Sequence, residues 1–162
     1  MRAALATESR EFDAADIGRL EARHEELLDL CLKLEEAAGE IGAAGAAPEL
    51  DSLADAIPLL LRQTHELEER VFFPDFDRHA GSCFAAMTIE RLKAEHRCDR
   101  LAADELTLTL KAVAEGRCGL SADTVSRMVS GFQESLRRHV QSERLMLEAL
   151  LAARAEERAV FA

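Results

Sequence analysis

Two segments, HELEERVFFP at residues 65–74 and HVQSERLML at residues 139–147, decide how this chain folds. Each opens on a histidine and carries a glutamate four positions later, His65–Glu69 and His139–Glu143. On an α-helix, residues four apart share a face, so each pair can reach a common point. One such pair is a weak signal. The wider pattern is stronger, because each segment is preceded by a helix with its own histidine, His24 or His96. Ile17 and Leu20 precede His24 as Ile89 and Leu92 precede His96. The chain therefore reads as one helical hairpin written twice.

Working outward, glycine and proline mark three loops: GEIGAAGAAPE (39–49), PDFDRHAGS (74–82) and EGRCGLS (115–121). Between them the apolar residues recur with helical periodicity. Four helices are expected, at about 13–38, 50–73, 83–114 and 121–155. The first starts at roughly Asp13 or Asp16, Asp51 or Ser52 caps the second, and Ser121 opens the fourth. Pro58 is expected to kink the second helix unless the helix starts there, and Pro74 to end it. Residues 1–162 then form one domain. Its fold class is all-α, an up-down-up-down antiparallel four-helix bundle.

Composition agrees with this. The chain has 162 residues, is 48% hydrophobic, and has seven Phe but no Trp or Tyr. That suits long helices with a sizeable core. A net charge of -11 argues against nucleic acid and anionic membranes as partners. No apolar run is long enough to span a bilayer. The opening MRAALATESREF lacks the pattern of a secretory leader, so a cytoplasmic location is expected. Cys31, Cys83, Cys98 and Cys118 form no metal-binding pair and read as reduced thiols, with a Cys83–Cys98 disulfide as the alternative.

The register of the hairpins brings the candidate ligands together. The midpoint between His24 and His65 falls in the first loop, and that between His96 and His139 in the third. In antiparallel hairpins, His24, His65, Glu69, His96, His139 and Glu143 therefore share one height. That layer lies roughly 30 Å from one end of the bundle and roughly 20 Å from the other. Each histidine is on an apolar face. Any one of them alone would read as a satisfied core residue. Together with two glutamates they would be costly to bury unpartnered. Arg70 and Arg144 follow the glutamates and point about 100° away on a helix. Metal cations resolve the cost. Four imidazoles and two carboxylates without a thiolate make a mixed nitrogen–oxygen site for two ions. Iron or manganese fits, and the histidine content favours iron. Zinc accepts such ligands but usually stops at four.

At these residues the sequence resembles the hemerythrin-like (HHE) cation-binding domains. The match runs from His24 through His65–Glu69 with Phe73-Pro74 and Glu95-His96 to His139–Glu143. It covers about residues 13–155 and lies in the ordered set. The resemblance implies a non-haem di-iron centre with an oxo or hydroxo bridge. Glu69 and Glu143 would bridge, His24 and His65 would serve one iron, and His96 and His139 the other. Zinc or manganese could substitute. Oxygen-carrying hemerythrins have a second histidine on the third helix, one turn from the first. Here Leu92 and Arg100 hold the flanking positions.

Several residues are assigned outside the ligand set. Asp99 is read as an exposed helix residue, with a supporting hydrogen bond to a ligand as the alternative. His79 is read as a surface residue off the ligand layer. Phe72, Phe73, Phe76, Phe132 and Met146 are expected to wall the site. No catalytic residue is singled out. The expected role is binding or sensing of oxygen or nitric oxide, through a partner protein if it signals. The alternatives are storage, sensing or donation of iron, and a metal-free helical interaction module. An oxidase or peroxidase has the least support, and both monomer and homodimer stay open.

Overall fold

The computed structural model describes residues 11–41, 47–156 and 160. The centre of the first expected loop, 42–46, lies outside the described residues, as do residues 1–10, on which the reading of the leader rests. Five α-helices follow in order: α1 (Ala14–Gly39), α2 (Ala47–Leu67), α3 (Phe73–Ala80), α4 (Cys83–Ala114) and α5 (Ala122–Ala155). A π-helical turn, Glu68–Phe72, joins α2 to α3. With α2, this turn and α3 taken as one rod, the protein is an all-α bundle of four helical rods. In this bundle α1 packs on α2 and α5, and α4 packs on the same two.

The helix starts follow from local chemistry. Asp13 accepts from the Asp16 backbone N–H and Asp16 returns the bond, a reciprocal cap that satisfies two otherwise orphaned donors. Ser82 and Ser121 cap α4 and α5 in the simpler way. Gly81 ends α3 with φ at 53°, a left-handed conformation that glycine adopts without a Cβ penalty.

The second rod departs from expectation at both ends. It begins at Ala47 and runs through Pro58. It also continues beyond Pro74, so most of the expected 74–82 loop is helix. The π-helical turn explains this. Its wider winding lets the Phe73 N–H bond back to the Glu68 carbonyl, five residues earlier. Pro74 then lies in the first turn of a new α-helix, where proline's missing N–H costs little.

The core has two apolar parts. One contains Leu27, Leu34, Ile57, Leu61, Leu106, Val129, Phe132 and Leu136. The other contains Phe12, Leu20, Phe72, Phe73, Phe76, Leu92, Met146 and Leu150. The polar residues of the candidate site lie between these two sets along every helix that contributes to both. Cys31, Cys83, Cys98 and Cys118 are all free thiols, so the Cys83–Cys98 disulfide is not formed. No helix among the described residues is long and apolar enough to cross a membrane.

Asp75 ties α3 to the rest. Its fully buried carboxylate pairs with Arg154 of α5, and Arg78 and His79 also approach it. Arg154 also donates to the Phe12 carbonyl at 2.9 Å, fastening the segment before α1. Asp75→Ala would leave the Arg154 guanidinium without its buried partner. Because Arg154 keeps some solvent contact, a loss of about 2 kcal/mol is expected, below the full cost of breaking a buried pair. Urea denaturation of the metal-free protein measures it; an unchanged midpoint would show that the contact contributes nothing.

Candidate metal centre

Six side chains converge in the polar layer: His24 from α1, His65 from α2, Glu68 from the π-helical turn, His96 from α4, and His139 and Glu143 from α5. All six are buried. Their donor atoms form two groups, within each of which the atoms lie within 4.8 Å of one another. The first group is His65, Glu68, His96 and His139. The second is His24, Glu68 and Glu143. Glu68 belongs to both.

Five of the six residues expected from the sequence are therefore brought together, and Glu69 takes a different place. Glu69 is one-third exposed and accepts from His96 Nδ1 at 2.7 Å, outside the two groups. Glu68 points inward instead. Counted from His65 on a helix, position i+3 lies about 60° to one side and i+4 about 40° to the other. Spacing alone does not separate two adjacent carboxylates so placed. The π-helical turn that starts at Glu68 does, because it rewinds the backbone from that residue onward. The grouping differs too: His65 stands with His96 and His139, not with His24.

The contacts inside the layer are short. His24 Nε2 lies 3.0 Å from Glu68 Oε1 and 3.3 Å from Glu143 Oε2. His96 Nε2 lies 3.2 Å from Glu68 Oε2 and 3.4 Å from Glu143 Oε1. His139 Nε2 lies 3.1 Å from Glu143 Oε1. The rings of His65 and His96 stack with centroids 3.8 Å apart, and Phe73 stacks on His96 from the apolar side. Of the expected wall residues, Phe72, Phe73, Phe76 and Met146 pack in one core part and Phe132 in the other.

Burial and mutual contact shift the titration of these groups. Burial by itself lowers the His24 pKa, but hydrogen bonds and attraction from Glu143 and Glu68 outweigh it and raise the value to about 9. The same opposition raises His96 to about 10. His139 is also raised, burial being outweighed mainly by Glu143. His65 goes the other way: burial, then the neighbouring imidazoles of His96 and His139, lower it to about 2. Burial and the adjacent Glu143 push Glu68 up. Burial opposes the Glu143 charge too, yet its three imidazole neighbours hold it well below the usual carboxylate range.

The donor set fits a metal ion. His65 Nε2 is buried without a hydrogen-bond partner, an arrangement that is costly unless something else engages it. Imidazole and carboxylate donors without thiolate suit iron, manganese or zinc. Residues around the ligands orient them. Glu69 receives the His96 Nδ1–H. His139 Nδ1 lies 3.4 Å from Asp99 Oδ2 and 3.4 Å from Glu95 Oε2. Carboxylates at this position fix the ring and raise its basicity toward a metal.

Asp99 is thus buried, not exposed as expected, with Ser135 Oγ donating to it at 3.0 Å. Its position three residues from His96 was the only signal. His79 lies off the layer, half-buried, with Nδ1 donating to the Asp75 carbonyl at 2.9 Å.

The model of the hemerythrin HHE cation-binding domain matches residues 15–151. The chain belongs to the hemerythrin HHE cation-binding family. Comparison with curated proteins and with solved structures gives no match. The family and the buried His/Glu cluster together make this a metal-binding hemerythrin-like protein.

Two outcomes test the centre. Glu68→Ala removes a donor from both groups and is expected to abolish metal uptake. Glu69→Ala removes only a partner of His96 and is expected to weaken binding by about 10- to 100-fold without changing the stoichiometry. Equilibrium dialysis with metal analysis separates these, and the reverse order would reassign the ligand. The second outcome concerns pH. His24 and His96 must lose protons before they can ligate, so ion uptake releases protons and tightens as pH rises. The rise is expected to continue to about pH 9–10 and not to level off near the ordinary imidazole value. Chelator competition across that range checks it.

Proposed function

We propose that this hemerythrin-like protein is a non-haem di-iron protein that binds or senses oxygen or nitric oxide at a carboxylate-bridged site. The observation that carries the reading is the double membership of Glu68. One carboxylate within reach of two donor groups is what a bridged ion pair needs, and a single ion would leave one group unused. Histidine-rich, thiolate-free donors favour iron among the metals that fit. Bound iron would supply a redox-active centre with affinity for diatomic ligands. The chain's own residues then hold that centre apart from water: Phe73 covers the His96 ring, and Phe72 and Met146 pack behind it. Glu69 orients the His96 imidazole from outside, and Asp99 approaches that of His139. A cytoplasmic location and signalling through a partner protein belong to the same proposal.

A second reading, storage, sensing or donation of iron, is favoured by one feature. His65 lines an opening to solvent of about 290 Å3, with Arg62, Glu66, Glu69, Arg70 and Arg100. Such an opening is a route for ion exchange.

One experiment addresses both. Protein purified without oxygen is expected to hold two irons per chain, develop near-ultraviolet charge-transfer bands in air, and change spectrum when nitric oxide meets the ferrous form. Iron that leaves to a chelator within minutes while oxygen and nitric oxide leave the spectrum unchanged would favour the second reading. Absence of iron together with unchanged stability in His65→Ala and His139→Ala would leave a metal-free bundle.

A further inference from the structure

The chain carries a net charge of -11, yet the opening beside His65 is lined by more cations than anions. Arg62, Arg70 and Arg100 stand there against Glu66 and Glu69. Arginine keeps its charge at any ordinary pH. Glu69 is already engaged: it accepts from His96 Nδ1 at 2.7 Å and lies 3.7 Å from Arg100. That leaves Glu66 to answer both Arg62 and Arg70.

Arg62, Glu66 and Arg70 follow one another at intervals of four along the second rod, which sets them along one side of it. Neither guanidinium has a carboxylate within 4.0 Å, Glu66 included, among the described residues. The usual arrangement on this surface is the reverse. Arg23 pairs with Glu26, Arg91 with Glu95, Arg127 with Asp123, Arg137 with Glu35 and Arg144 with Glu25. Among the described residues the arginines without such a partner are Arg62, Arg70 and Arg97, and two of these three line one opening. A single carboxylate shared between two guanidiniums leaves donors over on both.

We propose that this opening is a binding site for a small free oxyanion, a phosphate or a carboxylate. A planar guanidinium presents parallel N–H donors that match the paired oxygens of such an ion, and charge on both sides strengthens the bonds. Arg62 and Arg70 supply the unused donors from the second rod, and Arg100 joins them from α4. The size agrees. A volume of about 290 Å3 falls just below the usual range for drug-sized ligands and suits an ion of few atoms. An ion held there stands beside His65, on the solvent side of the buried layer. The proposal uses groups that do not titrate, and it does not rest on the metal reading above.

The test uses the whole chain free of metal, so that no anion can bind through one. Inorganic phosphate and acetate are titrated separately by calorimetry at constant ionic strength, with chloride as the reference. Binding of either ion above the chloride baseline is expected, and the tighter of the two identifies the class. Arg62→Met combined with Arg70→Met is expected to weaken it by about tenfold or more. Arg97→Met removes an equally unpaired arginine outside the opening and is expected to leave it unchanged. Nitrogen-15 NMR of the wild type gives a readout that no misfolded variant can imitate: the ion is expected to shift the side-chain Nε signals of Arg62 and Arg70 but not that of Arg97. No binding beyond chloride, or an equal loss in Arg97→Met, would overturn the site and leave only general surface charge. Failure of the chain to take up zinc would remove the metal reading and leave the anion site standing.

Discussion

Glu68 and Glu143 meet in the middle of the bundle, with apolar core on both sides and almost no access to water. Two carboxylates so placed repel each other and lose their hydration, which makes either charge expensive alone. The rest of the layer answers that constraint. His24 and His96 each reach both carboxylates through Nε2, and His139 reaches Glu143. In the metal-free state, protons shared between imidazole and carboxylate balance the charge. Metal cations would do so with more lone pairs engaged. Either way, four helical rods have to present their polar residues at one height, and this fixes their register.

The π-helical turn follows from the same constraint. It gives the second rod one extra residue where Glu68 turns inward. Phe72, Phe73 and Phe76 all lie in the core along this stretch of the rod. Phe73 comes to lie on the His96 ring, so the apolar wall and the ligand are held by one backbone irregularity. π-helical turns commonly coincide with functional sites, and here the geometry gives the reason.

Outside the ligands, the charge of each neighbour sets what its imidazole can do. Carboxylates behind His96 and His139 prepare those rings for a cation, and Ser135 in turn anchors Asp99. Behind His65 stands the Arg100 guanidinium instead. The ring carrying the cationic partner is the one that borders the opening to solvent. The centre is therefore asymmetric in chemistry although the sequence that builds it is nearly repeated.

That near-repeat is what the sequence determined by itself. Helical periodicity and the placement of Gly, Pro and Ser gave the four rods, and the recurrence of His24 with His96 and of His65 with His139 gave their common layer. These are one-dimensional properties, because antiparallel hairpins convert equal spacing into equal height. The tertiary structure decided the rest. It chose Glu68 over Glu69, since two adjacent carboxylates straddle the same helix face and only the winding at residues 68–72 separates them. It carried the second rod past Pro74, because a proline breaks a helix only where its N–H is needed. It buried Asp99 against Ser135 and His139, and set Arg100 on His65, contacts between rods that no spacing within one rod encodes. Distance along a helix is written in the chain; which of two neighbouring side chains turns inward, and what charge faces it there, depends on how the rods meet.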